Sequence, residues 1–136
     1  MRYLLDTNTV SHLMRANAAA LARLSMHERD RTFISAITEA EIRFGLAKNP
    51  QAKRLRAAVE AFWEQVTVLD FTASTAIYYG SLRASLESSG MAMSPLDTLI
   101  AASALEHAQN PAGMILVTND HVFSRVPGLL VEDWTR

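Results

Sequence analysis

Hydrophobic and polar positions along the chain form short apolar runs separated by longer stretches of helical spacing. Tyr3-Leu4-Leu5, closed by Asp6, reads as a first strand. Asn8 to Arg15 and Ala18 to His27 read as two helices, and Thr32-Phe33-Ile34 as a second strand. Thr38 to Lys48 has helical spacing and should end before Pro50, because a residue preceding proline is pushed out of the helical region. Gln51 to Gln65 predicts an amphipathic helix, Val66 to Leu69 a third strand, and Thr72 to Ser88 a long helix stopped near Gly90. Ser94 to Ala108 is the clearest helix. Met114 to Val117 is apolar throughout, as expected of a strand covered on both faces, and Leu129 to Val131 is a last short strand.

Strands alternating with helices predict an α/β fold with a parallel sheet covered on both sides. A length of 136 residues suits one domain spanning positions 1–136. In open sheets of this kind, sites form beyond the carboxyl ends of the strands.

Composition narrows the class. Apolar residues make up 49% of the chain, enough for a core and too many for a disordered chain. No stretch approaches the roughly 18 apolar residues of a membrane span, and the apolar run before Asp6 is too short for a secretory signal. Cysteine is absent, which excludes disulfides and thiolate metal sites. The expectation is a soluble, cytoplasmic protein. The net charge of −1 alone would argue against a nucleic-acid partner. Setting four of the 14 acids aside in one site leaves 10 against 13 bases, so the charge decides nothing about RNA.

Four acids sit where strands end or helices begin: Asp6, Glu41, Asp97 and Asp120. Each has an ordinary structural reading. Thr38 to Glu41 and Ser94 to Asp97 have capping-box spacing, and Asp6 and Asp120 suit N-caps or Asx turns. Against this, Glu41 shares a helix face with Ile37, Phe44 and Gly45, and Asp97 shares one with Ile100, Ala101 and Ala104. Carboxylates directed at a core need a partner, and the sequence places no nearby Lys or Arg to neutralise Asp6, Asp97 or Asp120. Glu39, by contrast, pairs at i, i+4 with Arg43. Hard divalent ions such as Mg2+ or Mn2+ prefer oxygen ligands of this kind, and carboxylates holding them catalyse phosphodiester hydrolysis.

The ordered set of motifs resembles the PIN-domain family, and within it the VapC-type toxin ribonucleases of VapBC toxin–antitoxin systems. The matching stretches are Leu4 to Asn8, Ile34 to Gly45, Ser94 to Ala101, Val117 to Asp120, Val126 to Leu129 and Glu132 to Trp134, spread over essentially the whole chain. The resemblance implies a three-layer α/β/α domain with a parallel sheet of four to five strands. It implies a Mg2+- or Mn2+-dependent endoribonuclease that leaves 5′-phosphate and 3′-hydroxyl ends. Asp6, Glu41 and Asp97 match the family's three acids, and Asp120 its more variable fourth position, with Asn119 beside it as an alternative. Thr7 and Thr118 match supporting hydroxyl positions. A homodimer, a VapB-type antitoxin that neutralises the toxin, and a structured RNA substrate, possibly tRNA cut in the initiator anticodon loop to inhibit translation, are further implications.

Arg43, Lys48, Lys53, Arg54 and Arg83 are candidates for phosphate contact, the cluster at Lys53, Arg54 and Arg56 being equally readable as a solvated helix face. The four histidines lack metal-ligand spacing and read as surface or loop residues. Asp70 with Thr72 reads as a cap. Two other functions compete. A haloacid-dehalogenase-like phosphatase also opens on a strand and Asp-x-Asp, but Asn8 stands where its general acid belongs. A non-catalytic PIN-like binding module is disfavoured by the presence of all four acids.

Overall fold

The structure, a computed structural model, describes residues 1–136. Five strands, β1 (Tyr3–Leu5), β2 (Thr32–Ser35), β3 (Thr67–Leu69), β4 (Ile115–Val117) and β5 (Val131–Glu132), form one sheet in the order β3-β2-β1-β4-β5. Every pairing is parallel. Six helices accompany them: α1 (Thr7–Met14), α2 (Ala18–Ser25), α3 (Ala36–Lys48), α4 (Lys53–Trp63), α5 (Ala73–Ser88) and α6 (Pro95–Ala108). Two short 3-10 turns, Arg29–Arg31 and His121–Arg125, complete the chain. This is the three-layer arrangement expected from the strand–helix alternation, and no helix is long and apolar enough to cross a membrane.

The sheet explains why its strands carry no polar alternation. Successive side chains leave a strand on opposite faces, so a sheet covered on both sides needs apolar residues at every position. Leu4 and Leu116 join Leu82, Leu86 and Ile100 in a core under α5 and α6. Leu5 and Val117, the next residues along, join Val10, Leu13 and Phe62 in a second core under α1, α2 and α4. Trp134 closes that second core, with its ring 5.5 Å from Tyr3 and stacked at 5.2 Å on His27.

Boundaries depart from the sequence reading at a few places. The third helix starts two residues early, because the Ser35 side chain rather than Thr38 caps it, accepting from Thr38 N at 3.1 Å. Asp70 caps nothing: Thr72 caps α5 and exchanges a reciprocal hydrogen bond with Thr75. The last strand is Val131–Glu132 rather than Leu129 to Val131, because the chain is still turning at Gly128, whose φ is +78°. Gly113, with φ +69°, opens the way into β4, and a Cβ there would lie 2.8 Å from Met1 Sδ.

β1 lies at the middle of the sheet, with β2 on one side and β4 on the other. Strand order reverses direction there, which places a crevice beyond the carboxyl ends of β1 and β4. Asp6 follows β1 and Thr118 follows β4.

Candidate active site

Asp6 stands in that crevice because β1 ends there. It is 3% exposed and serves as the N-cap of α1, its Oδ1 accepting from Thr9 N at 2.8 Å. Its Oδ2 accepts from the Thr118 hydroxyl at 2.5 Å. The Asp6 backbone N–H donates to Val117 O at 3.1 Å, which fixes the two strand ends to each other. Burial pushes the Asp6 carboxyl above the usual carboxylate range, the hydrogen bonds from Thr118 and Thr9 pull it back, and the negative charge of Asp97 adds to the rise. Capping and chemistry are therefore not alternatives at this residue. A carboxylate has about four lone-pair sites, and the two strongest contacts here use two of them.

Asp97 is half-buried in the first turn of α6, where Ser94 Oγ accepts from its backbone N–H at 3.2 Å. No reciprocal bond from its carboxylate completes a capping box. Its helix face, through Ile100, Ala101 and Ala104, is buried as the spacing implied. Glu41 is half-buried and lies in the second turn of α3, beyond capping reach. Its Oε1 accepts from the Thr7 hydroxyl at 2.8 Å, and Thr7 Oγ1 also lies 3.2 Å from the buried Thr38 Oγ1. The apolar-face argument holds less well for Glu41, since Phe44 on that face is 67% exposed.

Asp120 precedes the second 3-10 turn. It is exposed, and its Oδ1 caps the second 3-10 turn by accepting from Val122 N at 3.0 Å. Its backbone N–H donates to Thr118 Oγ1 at 3.0 Å. Asn119 instead faces α1: its Oδ1 accepts from Asn8 Nδ2 at 2.7 Å, and its Nδ2 lies 3.1 Å from His12 Nε2. Thr118 thus joins three elements, since its hydroxyl bonds both Asp6 and the turn that carries Asp120.

The arrangement fits a hard cation by its chemistry. None of Asp6, Glu41, Asp97 or Asp120 takes part in any of the ion pairs of the fold. A buried acid whose pKa is raised, beside a second acid and with no cation, is electrostatically unsatisfied. As the side chains stand, no three His, Asp or Glu groups converge closely enough to hold an ion.

Two cavities flank the crevice. One, of about 300 Å³, runs between α1, α3 and α4, with Val10, Ile42, Leu46 and Val59 as apolar walls and Thr7 and Glu41 among its polar lining. The other, of about 330 Å³, lies against Thr118, Asn119 and Asp120. The basic candidates divide in two. Arg43 pairs with Glu39 at 3.3 Å and lies 4.5 Å over the Trp63 ring, and Arg83 is held by Glu87 and by Tyr79 on its own helix. Lys48 sits 5.9 Å from the Phe44 ring centroid. Lys53 and Arg54 are exposed and unpaired at the start of α4, next to Leu55 in the wall of the first cavity.

Sequence reasoning missed Asn8, His12, Ser35 and Thr38. His12 was read as a surface residue, yet it is half-buried against Asn119; its contact spans 107 positions and leaves no local trace. Ser35 and Thr38 could have been found from the Ser-x-x-Thr spacing at the end of β2.

A parallel five-stranded sheet covered by helices on both faces, with carboxylates beyond its central strand ends, defines a three-layer α/β fold. Residues 3–129 match the PIN domain, and the chain belongs to the PIN-domain family. It is 33% identical over 135 residues, 98% of each chain, to the "tRNA(fMet)-specific endonuclease VapC" of Salmonella typhimurium. It is 32% identical over 139 residues to "Ribonuclease VapC2" of Rickettsia felis, covering both chains fully. The crystal structure of DNA-bound VapBC from Salmonella typhimurium superposes with a TM-score of 0.86 at 33% identity, over 98% of both chains. That of VapBC2 from Rickettsia felis bound to a promoter DNA fragment gives 0.85 at 31% identity, over 98% of this chain and 99% of the other. Family membership sets the phosphatase reading aside.

Proposed function

We propose that this chain is a divalent-metal-dependent endoribonuclease, the toxin of a VapBC pair, with Asp6, Glu41 and Asp97 holding Mg2+ or Mn2+. The observation that carries the reading is Asp6: a buried carboxylate with a raised pKa, beside Asp97, with no cation in reach. A bound ion supplies charge neutralisation, activation of the attacking water and stabilisation of the leaving oxygen. Thr118 orients the Asp6 carboxylate and Thr7 orients Glu41, each through a hydroxyl donor. Asp120, expected from the sequence as a fourth ligand, caps a neighbouring turn through one oxygen as Asp6 does, and with acceptor sites to spare it completes the proposed set. Asn119, the alternative for that position, is held by Asn8 and His12.

The substrate we propose is tRNA, with the initiator species favoured by the names of the relatives from Salmonella typhimurium and Shigella flexneri, and inhibition of translation as the result. Lys53 and Arg54 supply free positive charge for its phosphates. The partner is a VapB-type antitoxin. An apolar groove opening on an acidic crevice suits an amphipathic segment bearing a basic residue that competes with the ion. A homodimer in the cytoplasm completes the proposal; Phe44 and Ile77, 67% and 73% exposed, offer apolar surface for such a contact.

The test is cleavage of total tRNA by the purified chain with Mg2+, with and without chelator, beside Asp6→Asn and Asp97→Asn. Loss of cleavage with chelator and in both variants is expected. Turnover that survives chelation, or is unchanged in both variants, would refute the site. Sequencing the cut ends after brief induction identifies the RNA. Growth arrest relieved by co-expressed antitoxin tests the toxin role.

A further inference from the structure

We infer that Arg15 is the residue by which this chain selects its antitoxin, seating an acidic side chain of the segment that fills the groove between α1, α3 and α4. The inference rests on the antitoxin reading above and adds to it a second charge, opposite in sign to the acidic crevice and at the other end of the same groove.

The groove has a polarity. Its charged lining consists of one carboxylate, Glu41, and one guanidinium, Arg15. Glu41 lies at the crevice end, where the Thr7 hydroxyl donates to it at 2.8 Å. Thr7 opens α1, and Arg15 caps its far end. At a rise of about 1.5 Å per residue, the two ends of the groove lie roughly 12 Å apart. Val10, Met14, Ile42 and Leu46 give the stretch between them an apolar lining.

Arg15 is unpaired within the chain. It is exposed and takes part in none of the ion pairs, whereas Arg23, Arg43, Arg83 and Arg136 each hold a carboxylate. Ending α1 uses only its backbone, whose N–H donates to Ser11 O at 3.1 Å. In water, a cation at a helix C-terminus is favourable without further partners.

Covering the groove changes that balance. An apolar helix face laid over Val10, Ile42 and Leu46 takes water from both charged ends, and a charge desolvated without a partner opposes binding. A segment that brings a base to Glu41 and an acid to Arg15 satisfies both ends. One with the same apolar face and other charges is rejected, which is how opposed charges give specificity. A helix crosses 12 Å in about eight residues, and residues seven apart share a face. The matching segment therefore carries a base and an acid seven or eight positions apart, with apolar residues between them on the same face. An RNA phosphate would also pair with Arg15, but the apolar walls offer an RNA backbone nothing and Glu41 repels it, so a polypeptide is the better occupant.

The test measures binding of the full chain to its separately purified antitoxin by biolayer interferometry. Arg15→Glu is expected to weaken the complex about 10-fold or more, and Arg15→Gln to weaken it less. Both variants should keep the parent's circular dichroism, since the side chain is exposed, and should cleave tRNA like the parent when no antitoxin is added. The antitoxin's acidic residues are then replaced by Arg one at a time. One such substitution should restore binding to Arg15→Glu while weakening binding to the parent, at a position seven or eight residues from a Lys or Arg. Unchanged affinity in Arg15→Glu, no antitoxin substitution that restores it, or a loss of tRNA cleavage in the absence of antitoxin would overturn the inference. The two readings fail differently: if the parent chain forms no complex, the antitoxin reading falls and takes this inference with it, whereas a complex indifferent to Arg15 removes the inference alone.

Discussion

The Thr118 hydroxyl donates to the Asp6 carboxylate at 2.5 Å, across 112 positions of sequence and between the ends of two adjacent parallel strands. The bond orients a carboxylate that burial makes reluctant to ionise. Removing it in Thr118→Val preserves shape while leaving Asp6 Oδ2 without its donor. Activity should fall about 10- to 100-fold, the usual effect of losing a group that orients a ligand, and Mg2+ should bind more weakly by titration calorimetry.

Asp6→Asn should separate stability from activity. The native pKa of Asp6 lies above the unfolded value, so between the two the folded state holds more protons and stability falls as pH rises. At neutral pH without metal, the charged form is a cost that Asn removes. Urea denaturation in chelator should show the variant at least as stable as the parent and the parent losing stability above the ordinary Asp range. Added Mg2+ should stabilise the parent and leave the variant unchanged, because a ligand stabilises only the state that binds it.

His107 gives a second pH signature of opposite sense. Burial holds its imidazole below the ordinary value, partly offset by Glu106, with Arg2 acting in the same direction as burial. The folded state therefore holds fewer protons than the unfolded one, and stability falls as pH drops through 6.5 toward the depressed native value. His107→Gln should flatten that limb in denaturation midpoints measured from pH 5 to 8. The effect should be small, because the side chain is 28% exposed.

Trp134 closes the second core with no exposed surface, donating from Nε1 to Glu132 at 2.9 Å. Trp134→Ala should cost about 3–5 kcal/mol by urea denaturation, with the loss concentrated in the cavity it leaves. Phe62→Ala should cost a similar amount, since Phe62 is 2% exposed in the same core.

Lys53→Ala and Arg54→Ala should weaken tRNA binding across sequences and lower the dependence of log affinity on log salt by about one per residue. Arg83→Ala should leave both unchanged, because Arg83 is already satisfied by Glu87 and Tyr79. Fluorescence anisotropy at several salt concentrations reads all three.

Much of the fold was legible because parallel strands buried on both faces leave an unmistakable run such as Leu4-Leu5 or Leu116-Val117, and because Pro50 and Gly90 punctuate the helices. Ends were less legible. Whether Ser35 or Thr38 caps α3 depends on where β2 stops, which tertiary pairing decides. The acids at strand ends were visible one by one, and the placement of Asp6 near Asp97 follows from topology. Asp120 shows what adjacency in sequence does not determine: Asn119 and Asp120 are neighbours, yet one turns toward α1 and the other caps the next turn.

The central position of β1 governs when this molecule can become active during synthesis. Its neighbours lie about thirty and about a hundred and ten residues downstream, at Thr32 and Ile115, so a ribosome must release most of the polypeptide before the middle of the sheet gains its second edge. Such distant pairings form slowly. Asp6 and Glu41 emerge early, but Thr118 arrives last, and the cell has that interval in which the nascent product lacks the contact that orients its central acid.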